Sequence, residues 1–157
     1  MRTKTTFSTG VVEQDKHAAA LDLVVPFTTP ELTRAALDAA NRMGAGLNPT
    51  IRLIRVQVVP FPLDLDQSPV YIEFLKEQLA RFRSDLPVAR EIRLARSFED
   101  GLVGTLGRDS VVILAAPKRP WTTRNERLAR ALRRAGHMVV LVTNGRSVEA
   151  KQELVHA

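Results

Sequence analysis

Residues 111–116 read VVILAA and run straight into Pro117. A strand with one wet face alternates apolar and polar residues, and this one does not. Both of its faces must be covered, as in the central strand of a parallel sheet with helices on either side. After it the chain breaks at Pro117-Lys118-Arg119-Pro120. Thr123 and Glu126, three residues apart, then form a capping box that starts a helix, and Gly136 ends that helix. Residues 138–142 (MVVLV) follow as the last strand. Upstream, Ser97 with Asp100 starts a short helix that stops at Gly107. One strand–helix–strand unit is thus legible around the decisive run.

The same alternation extends to the amino end. Residues 20–27 (ALDLVVPF) suit a buried first strand. Thr28 caps the next helix with Glu31 three residues on, and Pro30 is tolerated in its first turn. Leu32, Ala36, Ala39 and Met43 recur at helical spacing until Gly44, which ends that helix as a left-handed cap. Residues 51–59 (IRLIRVQVV) form the second strand, and Arg52 and Arg55 suggest that it is less enclosed than the first. After a loop at 60–67, Ser68-Pro69 opens a helix striped by Tyr71, Phe74, Leu75, Gln78, Leu79 and Phe82. Residues 88–96 (VAREIRLAR) make a third strand, charged on both faces and so suited to a sheet edge. Five strands with four intervening helices predict one doubly wound α/β domain: a parallel five-stranded open sheet, right-handed crossovers and helices on both faces.

Length and composition agree. A chain of 157 residues fits one domain, and 45% hydrophobic with 25% charged residues is ordinary for a folded globular chain. Residues 1–18 read as a flexible arm, 19–144 as the domain and 145–157 as a tail that can be helical. The chain contains no cysteine, which excludes disulfide scaffolds, thiolate metal sites and cysteine nucleophiles. The apolar run at 111–117 falls far short of the ~20 residues that cross a bilayer. No charged-then-apolar leader opens the chain, so a cytoplasmic location is expected.

The net charge is +6, and residues 118–134 alone carry seven basic residues against the single acid Glu126. One use would be a nucleic-acid surface. The arginines, however, fall opposite Trp121, Leu128, Leu132 and Ala135 at 100° per residue, as on the outer face of a helix packed on a sheet. Aromatic residues are not interleaved with them for base stacking. The solvated-face reading prevails.

In a doubly wound sheet the ligand crevice lies beyond the carboxyl ends of the strands, where strand order reverses. The turns expected to line it place Thr28, Thr29, Val59, Lys118, Arg119, Thr122 and Thr123 as candidate anion- or nucleotide-binding residues. Helix N-termini on that edge favour anions generically. The two common glycine-rich phosphate motifs do not occur in the chain. Gly101, Gly104 and Gly107 lie in and after a helix that precedes a strand, which points to close packing and a cap. His17, His137 and His156 are isolated, and Asp64 with Asp66 is too small a set to specify a cation site. No catalytic constellation or metal site is assigned.

Over about residues 20–143 the pattern resembles the universal stress protein family. Leu23-Val24-Val25-Pro26 resembles its first strand, and residues 40–47 (ANRMGAGL) the end of its first helix. Asp109-Ser110-Val111-Val112-Ile113-Leu114 is similar to its fourth strand. Asn125-Glu126-Arg127-Leu128, leading to Val139-Val140-Leu141-Val142, resembles its last helix and strand. Nucleotide-binding members carry an aspartate after strand one, and after strand four Gly-x2-Gly-x9-Gly-Ser/Thr. Here Thr28 stands at the aspartate position. The fourth-strand turn, residues 115–121 (AAPKRPW), has two prolines and no glycine, and Thr123 alone matches the final Ser or Thr. Proline removes N–H donors that phosphates need.

The resemblance implies a Rossmann-like domain that dimerises through the last strand, here Met138, Val139, Val140, Leu141 and Val142, an uncharged edge suited to a partner. The expected function is a non-enzymatic, stress-response regulatory module acting by protein contact, with ATP or AMP binding degenerate or absent and no cofactor. The alternatives are a nucleotide (ATP/AMP)-binding protein with weak hydrolase activity and a cytosolic accessory domain of a membrane transporter.

Overall fold

The computed structural model describes residues 21–65 and 72–143. The expected arm and tail, the helix start at Ser68-Pro69, Tyr71, Asp66, His17 and His156 lie outside these residues. In chain order the described elements are β1 (Asp22–Pro26), α1 (Pro30–Gly44), β2 (Thr50–Val58), α2 (Ile72–Ala80), β3 (Val88–Ala95), α3 (Phe98–Val103), β4 (Ser110–Ala116), α4 (Arg124–Arg134) and β5 (Met138–Thr143). All strand pairs are parallel and the order is β3-β2-β1-β4-β5. This is the expected doubly wound, Rossmann-like sheet, and its order reverses between β1 and β4.

The side-chain alternation of each strand builds two cores. Leu23, Val25, Ile51, Leu53, Ile113 and Ala115 face α1 and α2, meeting Ala36, Leu37, Ala40, Leu79 and Phe82. Val24, Ile54, Val56, Val112 and Leu114 face α3 and α4, meeting Leu102, Leu128, Ala129 and Leu132. Every residue of β4 is buried, as its unbroken apolar run requires. The charged β3 falls at one edge, as its charge pattern predicts, and β5 at the other, as the resemblance implies. Arg90 on β3 also terminates α2, its guanidinium donating to the carbonyls of Leu79 at 3.0 Å and Phe82 at 2.7 Å.

β2 lies inside the sheet, yet both of its arginines are half-buried, and each is held. Near the amino ends of the strands, Arg52 forks onto Glu91 with Nε–Oε1 3.1 Å and Nη2–Oε2 3.2 Å. Its Nη1 donates to Asp22 at 3.2 Å and to the carbonyl of Thr105 at 3.1 Å. Asp22 also accepts from the Ser110 hydroxyl at 2.6 Å. The Glu91 hydrogen bond is the main cause that raises the Arg52 pKa above its ordinary value.

Several local expectations are corrected. Thr29, not Thr28, caps α1, its hydroxyl accepting from the Leu32 N–H at 3.3 Å. Gly44 is the last helical residue, not a left-handed cap. A Cβ there would collide with the side chains of Pro49 and Leu86, and the positive φ of +79° belongs to Gly46. α3 ends at Gly104, whose N–H returns to the Asp100 carbonyl, and so stops short of Gly107. Gly101 packs as read: a Cβ would lie 2.5 Å from Val56 Cγ1 and 2.8 Å from Ala95 Cβ. On α4 the buried stripe is Asn125, Leu128, Ala129 and Leu132. Trp121 and Ala135 are exposed instead, because the helix begins three residues after Trp121 and ends before Ala135. Phe74 is likewise exposed on α2, which buries only Leu75 and Leu79 among its residues.

Candidate functional site

A crevice of about 420 Å³ opens beyond the carboxyl ends of β1, β2 and β4, at the reversal of strand order, the place where sheets of this kind bind ligands. The turn after β1 contributes Phe27, Thr28 and Thr29. The end of β2 contributes Arg55 through Val58, and β4 contributes Pro117. The N-termini of α3 and α4 add Phe98 and Thr123, Arg124 and Asn125.

Of the seven residues singled out from sequence, the fold brings Thr28, Thr29 and Thr123 together here. Val59 is not among them. It is 1% exposed, because its N–H continues the ladder to the Ala95 carbonyl at 2.8 Å. Lys118, Arg119 and Thr122 are exposed on the turn after Pro117 and do not line the crevice. Arg119 lies instead 5.6 Å from the ring centre of Trp121.

The threonines are already partly committed. The capping box of α4 closes on both sides: the Glu126 carboxylate accepts from the Thr123 N–H at 2.6 Å, and the Thr123 hydroxyl accepts from the Glu126 N–H at 3.3 Å. Thr29 accepts its cap bond, and the Thr28 N–H donates to the Thr33 hydroxyl at 3.1 Å. Besides the exposed Arg124, the groups with capacity to spare are the half-buried Arg55 and the buried Asn125, neither of them among the seven residues expected from sequence. Arg55 was visible as a charge inside an apolar strand; nothing local in the sequence showed that Asn125 turns inward.

Arg55 lies 4.4 Å from the ring centre of Phe27, and its Nη1 donates to the side-chain amide oxygen Oε1 of Gln78 at 2.6 Å. Phe27 is in turn edge-on to Phe82, at 5.7 Å and 79°. Ring and amide hold the guanidinium without neutralising it. Burial lowers its pKa from the ordinary arginine value, in the direction expected where no carboxylate compensates. Asn125 is 5% exposed. Its amide nitrogen donates to the Ala115 carbonyl at 2.6 Å and reaches the Thr28 hydroxyl at 3.4 Å.

Arg124, at the first turn of α4, lies 5.9 Å from the ring centre of Phe98. Among the described residues that line the crevice there is no carboxylate, histidine or cysteine. The arrangement can bind and orient; it offers cations, hydroxyls and an amide against apolar and aromatic walls.

Among the described residues no helix is long and apolar enough to cross a membrane, and no cluster of three or more His, Cys, Asp or Glu could hold a metal ion. No protein-family model matches the chain, and no curated protein matches it.

Proposed function

We propose that the chain is a non-enzymatic regulatory module of universal-stress-protein type, which pairs through β5, acts by protein contact and has a degenerate nucleotide site. The observation that carries this reading is the contrast between the two sheet edges. On β3 the arginines and Glu91 make the edge a poor template for another strand. β5 is uncharged over its whole length, and no strand covers its outer side among the described residues. A second copy of β5 would satisfy that row of backbone groups. The turn after β4 supports the degenerate site, since Pro117 and Pro120 lack N–H groups and Lys118, Arg119 and Thr122 stand outside the crevice.

Light scattering on the intact chain tests the pairing. The expected mass is twice the 17.4 kDa of one chain. Replacing both Met138 and Thr143, at the two ends of β5 and outside both core clusters, by lysine converts it to monomer at ~10 µM while circular dichroism stays native. A monomeric wild type, or a dimer indifferent to those lysines, contradicts the reading. The crevice at the strand-order reversal favours a second reading, nucleotide binding, which the nucleotide content of the purified protein decides.

A further inference from the structure

We infer that the crevice is a receptor for a small organic oxyanion carrying a hydrogen-bond donor: the anionic group docks on Arg55 and the donor is read by Asn125. The inference rests on reading the crevice as a ligand site, and goes beyond it by naming the ligand's chemistry. Two independent observations carry it. Arg55 is a half-buried guanidinium whose partners among the described residues are neutral, the Gln78 amide and the Phe27 ring. A guanidinium has five N–H donors in a planar fork that matches a carboxylate or phosphate. Gln78 takes one of them, so the fork is positioned and most of its donors are available.

The second observation is Asn125. The Ala115 carbonyl can only accept, so the amide nitrogen of Asn125 must face it, and the amide oxygen faces away. That oxygen has no partner among the described residues, although the side chain is 95% buried and lines the crevice. Buried acceptors are normally satisfied, so one that faces a cavity is met by water until a ligand donor displaces it. The capping box explains why the anion goes to Arg55 rather than to the α4 terminus. Glu126 already occupies the Thr123 N–H there, and its charge repels a second anion. The anionic group therefore docks on the β2 side of the crevice, and the donor reaches toward Asn125 beside the end of β4.

Inorganic phosphate and sulfate are the probes. Phosphate keeps a proton to donate near neutral pH, whereas sulfate does not. The isotope-labelled full chain is titrated with each at constant ionic strength, following the Arg55 Nε–H, the Asn125 side-chain amide and the Thr28 amide by NMR. Saturable shifts confined to these groups are expected, with phosphate bound ~3–10-fold more tightly than sulfate, the ratio set by one hydrogen bond to Asn125. Arg55→Gln abolishes the response. Arg55→Lys keeps the charge but loses the fork, and weakens phosphate by ~10-fold while the core resonances stay in place. Shifts that never saturate, that centre on the outward arginines Arg127 and Arg130, or that are equal for the two anions overturn the assignment. A neutral or cationic molecule retained in the crevice, with Arg55 silent to phosphate, also overturns it, yet leaves the reading of the crevice as a ligand site intact.

Discussion

Replacing Leu114 by alanine lowers the unfolding free energy by ~2–5 kcal/mol, the range for removing a large side chain from a core that cannot collapse around the gap. Leu114 is 1% exposed, in the middle of a strand flanked on both sides by other strands. On its face of the sheet it belongs to the cluster with Leu102, Leu128 and Leu132. Leu102 comes from α3 and the other two from α4, helices whose positions the sheet fixes, so relaxation is limited. Leu141 stands level with it on β5 but is only partly buried. The same substitution there costs about 1 kcal/mol, because less surface leaves the core and the edge can adjust. Urea unfolding of the two variants, with unchanged m-values, measures the difference. Equal losses would mean that Leu141 is as tightly enclosed as Leu114, and would contradict this account of the packing.

Arg52→Met has the second largest effect, a loss of ~1–3 kcal/mol. The side chain is 20% exposed and its partners Asp22 and Glu91 are 31% and 27% exposed. Solvent therefore screens the pairs in part, and the cost stays below that of a fully buried pair. Methionine fills the volume but leaves two carboxylates and the Thr105 carbonyl without their donor. Arg93, at 3.6 Å from Glu91, replaces only a fraction of it. The double variant Arg52→Met with Glu91→Leu recovers part of the loss, since it removes one stranded charge together with its cation. A double variant less stable than Arg52→Met alone would contradict this account of the network.

How much of this was legible depends on the range of the interaction that sets each feature. The strand at 111–116, the Thr123–Glu126 capping box and the charged edge at β3 follow from patterns within ten residues of themselves, and the structure has them as read. The start of α1 was off by one residue because Thr28 and Thr29 offer the same cap chemistry, and the Thr33 hydroxyl decides between them by engaging the Thr28 N–H. Gly44 was misread for a related reason. Its missing side chain answers a tertiary approach by Pro49 and Leu86, not a backbone turn.

The structure has a crevice at the end of the sheet where the sequence expects a ligand, but only Thr28, Thr29 and Thr123 of the seven expected residues line it. How far β2 extends past β1 depends on its pairing with β3, which carries Val59 into the ladder and leaves Arg55 through Val58 facing the opening. Asn125 reads locally as an ordinary first-turn helical residue. Only the packing of α4 on the sheet turns its amide toward the Ala115 carbonyl.

On the proposed reading this crevice, although it stands where related folds place nucleotides, is built around Arg55 and Asn125 and not around a phosphate loop. Mass spectrometry of the small molecules released by denaturing the freshly purified protein tests it most directly. The account predicts no ATP or AMP in amounts comparable to the protein. One ATP or AMP per chain would contradict it and make the turn from Pro117 to Trp121 a phosphate site despite its prolines.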